Sequence, residues 1–216
     1  MWEGSNLNAN DTLLFEGNFY QLTGVEQEIY TPDLFRIAPT WEKDKDFQYI
    51  SVYEIKEHQL YLKNMTISSD RGFPVINDVK PQSVYHENSL DTVLYEGLME
   101  KLNYTGGVLV GCDYIKNYNT KGDMPYFSYG KLYELIFEDG ILTTTVDHSK
   151  GMLRIRKNID LGLRNLEKER DRKCIKHFLK TSFVGEYLHP NKHKKNKFKN
   201  NIQNYISKIK NLAPFT

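Results

Sequence analysis

The chain is poor in the residues that usually betray a function. Its 216 residues include two cysteines, Cys112 and Cys174, far apart and outside any CxxC spacing, which leaves no disulfide framework to build a fold on. No apolar run approaches membrane-spanning length, the longest pieces being of the size of Val108-Leu109-Val110. The opening Met1-Trp2-Glu3-Gly4-Ser5-Asn6 has neither the basic start nor the apolar stretch of a secretory signal. The expectation is a soluble protein of a reducing cytoplasm, with no membrane partner. Phosphate-binding spacings are missing too. The glycine-rich stretch Thr105 to Gly111 fits neither GxGxxG nor GxxxxGK[ST] and reads as a strand between turns. There is no GxSxG elbow. Asp147-His148-Ser149 holds triad residue types, but as sequence neighbours, which is not how a triad is assembled. His189 and His193 stand four apart, yet Pro190 falls between them and no acidic or cysteine ligand adjoins. No metal and no other cofactor is expected.

What is present is a rich core composition and a lopsided charge. Hydrophobic residues make up 39% and aromatics 13%, enough to argue against disorder. The 15 tyrosines and 11 phenylalanines favour strands. The net charge of +1 hides a split: residues 1–150 carry 12 Lys/Arg against 23 Asp/Glu, and residues 151–216 carry 17 against 5. Such asymmetry suggests a basic region seeking an anionic surface: nucleic acid, a partner protein, or the chain's own acidic part. The Lys- and Asn-rich stretch from Asn191 to Asn204 is also what an AT-rich genome would encode.

The acidic part repeats itself. Asp11-Thr12-Leu13-Leu14-Phe15-Glu16-Gly17 returns eighty residues later as Asp91-Thr92-Val93-Leu94-Tyr95-Glu96-Gly97, and Val52-Tyr53-Glu54-Ile55 returns at the same offset as Leu132-Tyr133-Glu134-Leu135. Two matches sharing one offset predict a duplicated β unit of roughly sixty residues. The expected fold class is α+β: two related antiparallel β units, 1–68 and 91–150, joined by a connection over 69–90 and followed by a basic helical region over 151–216. Strands are expected over Tyr49 to Lys56 and Leu60 to Ile67, turning at Glu57-His58. A second pair is expected over Lys131 to Phe137 and Ile141 to Val146, turning at Asp139-Gly140, where glycine accepts the positive φ of a type I′ turn. Helical spacing of Ile159, Leu163, Leu166, Cys174 and Phe178 predicts one helix from about Ile155 to Val184, capped by Gly185. Phe198, Ile202, Tyr205, Ile206 and Ile209 predict a second.

Candidate chemistry is sparse. Alternation puts Glu54 with Ile50 and Val52, and Glu134 with Leu132 and Ile136. If those faces are cores, each unit holds a carboxylate that must be paired or protonated. Glu54, Glu134 and His148 are therefore the candidate catalytic residues. A structural carboxylate is the competing reading, and His148 reads better as a solvated strand-end residue. The candidate anion-binding residues are Arg164, Arg170, Arg172, Lys173, Lys176, Lys192, Lys194, Lys195, Lys197 and Lys199. Tyr187, Phe198 and Tyr205 lie among the basic residues and could stack on bases.

The string Tyr49-Ile50-Ser51-Val52-Tyr53-Glu54-Ile55-Lys56-Glu57-His58-Gln59-Leu60-Tyr61-Leu62 resembles a hairpin in a group of bacterial proteins that read roughly Y-x-x-x-W-E-I-x-D-G-x-L-Y-L. Tyr53 replaces their tryptophan, and Glu57-His58 replaces their Asp-Gly turn. The resemblance covers about residues 11–67 and implies a bacterial origin and a compact β fold. It carries no activity.

These observations favour a non-enzymatic bacterial binding protein, an immunity or inhibitor-like protein of a toxin, phage or antiphage defence locus, with another protein as partner. The alternative is a nucleic-acid-binding accessory protein working through 151–216. A hydrolase or transferase with a Glu-based site comes third.

Overall fold

A computed structural model describes residues 11–40, 49–84, 92–118 and 124–187. The strands are β1 (Thr12–Phe15), β2 (Asn18–Val25), β3 (Tyr49–Lys56), β4 (Gln59–Ser68), β5 (Gln82–Ser83), β6 (Thr92–Tyr95), β7 (Glu100–Lys101), β8 (Gly106–Tyr114), β9 (Tyr129–Glu138) and β10 (Ile141–Asp147). Two helices follow, α1 (Ser149–Asp160) and α2 (Glu169–Ser182). The class is mixed α+β.

All ten strands join one sheet in the order β10-β9-β8-β2-β1-β3-β4-β6-β5, with β7 also on β4. Among these pairings β1–β3 is parallel. The sheet also touches itself. Gln59 of β4 pairs with Ile141 of β10. There the Leu60 N–H donates to Gly140 O at 2.8 Å and the Leu142 N–H to His58 O at 2.7 Å. The path from β10 through β9, β8, β2, β1 and β3 to β4 thus closes into a ring at one end. Buried Gln59 reinforces the closure, its Nε2 lying 3.0–3.1 Å from the carbonyls of Leu60, Leu102 and Gly140.

Three two-residue turns shape this end. Glu16-Gly17, Glu57-His58 and Asp139-Gly140 all hold positive φ at both positions, the geometry that matches the twist of the flanking strands. Glu57 and His58 adopt it without a glycine, at about 1–2 kcal/mol per residue. The second Glu-Gly behaves differently. Glu96 is not left-handed, and the Gly97 N–H bonds to Asn64 Oδ1 at 2.9 Å. The chain therefore runs along β4 instead of folding back as a hairpin. As a result β1 lies between β2 and β3, whereas β6, so similar in sequence, pairs with β4 through Met65↔Tyr95 to Ser68↔Thr92.

The main core fills with alternate strand residues, among them Leu13, Leu22, Tyr53, Leu62, Met65 and Leu135. β9 is covered on both faces. Tyr133, Leu135 and Phe137 pack with the main core, while Leu132 joins a second cluster with Met152, Ile155 and Ile175 of the helices. That cluster fixes the helices on the sheet. Truncating fully buried Met152 to alanine is expected to cost about 2–5 kcal/mol.

The predicted helix over Ile155 to Val184 is in fact two. Gly162 takes φ +70 in the break, and Leu161 and Leu163 beside it are exposed rather than core. Helix α1 also begins earlier, because Asp147 Oδ1 accepts the Ser149 N–H at 2.8 Å and His148 occupies the cap position. Gly185 caps nothing: α2 ends at Ser182, and the extended Phe183 holds the C-cap position. The helix predicted over Phe198 to Ile209 lies outside the described residues.

Candidate functional site: a sealed carboxylate and a basic helical face

The two candidate glutamates sit on the outer faces of two hairpins, β3–β4 and β9–β10, and meet different fates. On β3 the inward residues are Tyr49, Ser51 and Tyr53, leaving Glu54 outward and partly exposed. Its carboxylate pairs with Lys63 at 2.9 Å. On β9 the outward face is roofed, and the Glu134 side chain is 0% exposed. Its Oε2 meets His148 Nε2 at 2.8 Å. Its Oε1 accepts from the Val184 N–H at 2.8 Å, the Gly185 N–H at 3.2 Å and the Tyr187 hydroxyl at 2.5 Å.

The structure therefore brings Glu134 and His148 together and leaves Glu54 out. His148 is not the solvated residue that its strand-end position suggested. Only 9% of its side chain is exposed, and its ring packs edge-on against Phe183 at 4.9 Å. A strand continued past Asp147 would leave the ring in water, whereas the chain turns there into α1 and folds the imidazole inward. Burial, and then the bond to the Glu134 carboxylate, drive the Tyr187 phenol well above its ordinary pKa, so it stays a donor.

Glycines make this seat possible. A Cβ on Gly107 would stand 2.1 Å from Tyr187 Oη, and one on Gly24 2.9 Å from Tyr187 Cβ. Bare backbone on β2 and β8 is thus the floor under the tyrosine. A Cβ on Gly185 would collide with the Glu26 carboxylate at 2.2 Å, and that same carboxylate accepts the Gly107 N–H at 2.6 Å. Tyr187 is consequently committed to the fold and is not a base-stacking platform. Sequence reasoning missed this partnership because nothing local links residue 187 to residues 24, 107 and 134. Only the run of small residues in β8 hinted that something large lies against it.

Arg156 was missed as well. Buried in α1, it donates through Nη1 to Phe127 O at 2.9 Å and Tyr129 O at 2.6 Å. Carbonyl dipoles compensate its charge there and tie the helix to the start of β9.

The other cations face outward. Arg164 lies 3.3 Å from Asp171, Lys173 lies 2.7 Å from Glu169, and Arg172 Nη1 donates to the carbonyls of Leu166 and Glu167. Arg170 and Lys176 are exposed. Lys192, Lys194, Lys195, Lys197 and Lys199 fall outside the described residues. A cavity of about 150 Å³ between the helices is lined by Arg154, Asn158, Arg164 and Cys174 among others. Cys174 also lines an open groove of about 540 Å³ with Arg170, Lys173 and His177. The Arg154 guanidinium caps the Phe178 ring at 4.7 Å.

Chemically, Glu134 has spent its acceptor capacity on four donors and neither of these cavities is lined by it. The arrangement anchors the segment after α2 and, among the described residues, surrounds the carboxylate with the chain's own groups. Among the described residues, no three His, Cys, Asp or Glu side chains converge as metal ligands, and no helix is long and apolar enough to cross a membrane. No protein-family model, curated protein or solved structure matches the chain.

Proposed function

We propose that this protein works by binding another protein rather than by catalysis. The observation that carries the reading is the Glu134 seat: the one place where candidate catalytic groups meet is occupied by the chain's own residues 184–187. In its narrower form the reading is a bacterial immunity or inhibitor-like protein acting by stoichiometric contact. We read the scaffold as a duplicated unit. In support, Gln59 and Ile141, which follow corresponding turns, pair with each other across the ring closure. Affinity purification of the full chain from its native host, with and without nuclease, tests the function. A stoichiometric protein partner that survives nuclease is the expected result; recovery of nucleic acid alone overturns it.

A second reading, nucleic-acid binding, draws on the helical pair, where Arg154, Arg164, Arg170, Lys173 and His177 line two cavities that share Cys174. It requires affinity for DNA or RNA that falls steeply with salt as counterions are released. Binding that ignores salt removes it.

A further inference from the structure

Among the described residues, the ring is sealed at one point and open beside it. β10 meets β4 through Ile141 and the Leu142 N–H. Past Leu142 the β3–β4 hairpin turns back at Glu57-His58, and no described strand lies against residues 143–147 on that side. The other side of β10 pairs with β9 up to Asp147↔Tyr133, with a bulge between Leu142 and Thr144. His148 continues that ladder, its N–H bonding to Leu132 O at 2.9 Å. By strand alternation Thr145 and Asp147 therefore turn their backbone N–H and C=O groups toward the open side. Such an edge is a template for another strand, and natural sheets commonly guard it with charged residues, proline or a bulge. Here the bulge falls at the start of the open stretch and Asp147 at its end. Thr143, Thr144 and Thr145 are exposed residues of high strand propensity with no lysine or proline among them.

Next to this edge lies a cavity of about 410 Å³. Phe15, Ile55 and Leu142 give it apolar wall, and Glu16, Glu57 and His58 give it a polar rim. Both glutamates are exposed and sit in left-handed turn positions. We propose that the open edge of β10 receives an extended, lysine- or arginine-bearing segment of a partner protein as an added strand. The inference rests on the protein-binding reading above and names the surface and the partner's chemistry. Backbone bonds to Thr145 and Asp147 supply affinity, and alternate side chains of the added strand supply specificity. One basic side chain lays its methylene stem on Phe15, Ile55 and Leu142 and carries its charge to Glu16 and Glu57. The excess of acidic residues over 1–150 favours the same sign of partner at longer range. Two alternatives meet like charge. A second copy would bring its own Glu16 and Glu57 to the cleft, and a nucleic acid would bring phosphates.

The test uses the full chain and two fluorescent peptides, one alternating valine with lysine and the other alternating valine with glutamate, read by anisotropy. The lysine peptide is expected to bind at least about tenfold more tightly than the glutamate peptide. Thr145→Pro removes an edge N–H without touching the β9 ladder and is expected to abolish that binding. The paired charge reversals Glu16→Lys and Glu57→Lys leave the edge intact and are expected to invert the preference, which keeps the test decisive if the proline variant misfolds. Equal affinity for the two peptides, or affinity indifferent to both variants, overturns the proposal. So does a dimer of the full chain that dissolves on Thr145→Pro, because a second copy then holds the edge. A nuclease-resistant partner bound equally well by Thr145→Pro and by the charge-reversed variant would overturn the β10 site alone and leave the protein-binding reading standing. Recovery of nucleic acid alone would bring down both.

Discussion

Glu54 and Glu134 each follow a tyrosine on the first strand of a hairpin with a type I′ turn, and each points away from the main core. Around Glu54 the outer face is only partly covered, and the carboxylate pairs with Lys63. Around Glu134 the same face is covered by α1 and by residues 183–187, and the carboxylate acquires four donors. The difference teaches that the duty of an outward glutamate on a hairpin strand is set by what lies on top of it. An ion pair that keeps part of both side chains in water contributes modestly, because solvent still screens it. A buried carboxylate left without donors would be ruinous, so its partners become fixed.

Removing each glutamate in turn gives the widest contrast. Glu134→Ala strands the Tyr187 hydroxyl, the His148 ring and two backbone N–H groups, and an expected loss of about 3–5 kcal/mol follows. Urea denaturation checks it, and a loss under about 1 kcal/mol would mean the seat is not structural. Filling the glycine floor is next. Gly107→Ala places a methyl into the Tyr187 hydroxyl and is expected to destabilise by about 1–3 kcal/mol, with faster tryptic cleavage at Lys180 as the local readout. An equal cleavage rate would show that residues 184–187 are held by something else.

Alkali attacks both regions. Tyr30, Tyr49 and Tyr53 in the core and Tyr187 in the seat all have phenols pushed upward, chiefly by burial. The folded chain keeps protons that the unfolded chain releases near pH 10, so stability is full below about pH 10 and falls as pH rises beyond it. Of the 15 tyrosines, the share contributed by these four should ionise only together with loss of the far-ultraviolet circular dichroism signal. The full tyrosinate absorbance reached in a still-folded protein would contradict these burials. Acid acts more weakly through Asp147. Desolvation raises its pKa, but bonds from Ser149 and the nearby His148 and Lys150 charges outweigh this and leave it depressed. Its contribution holds above the ordinary carboxyl range and fades as pH falls through the lowered value. Asp147→Asn should therefore flatten the acid limb of the stability curve slightly. Smallest of all, Glu54→Gln should change stability by less than about 1 kcal/mol, and by less still in high salt.

The strands were legible because their signals are local. Tyr49 to Lys56 alternates, and both Glu57-His58 and Asp139-Gly140 turn as tight hairpins turn. The helix break was legible only as a weak point at Gly162, since the hydrophobic period runs through it unbroken. The seat could not be read. Glu134, His148 and Tyr187 are brought together by the chain turning inward after Asp147 and returning after α2, and no spacing in the sequence encodes a return. His148 in particular looked like the end of a strand because nothing in Asp147-His148-Ser149 announces the turn.

The ring closure has a mechanical consequence. A closed wall resists shear all around its circumference, but this one is joined by two backbone bonds at Leu60 and Leu142 and by the Gln59 amide. With so few bonds the seam should open before the rest of the wall, and the amide protons of Leu60 and Leu142 should exchange together and ahead of the long ladder between β3 and β4.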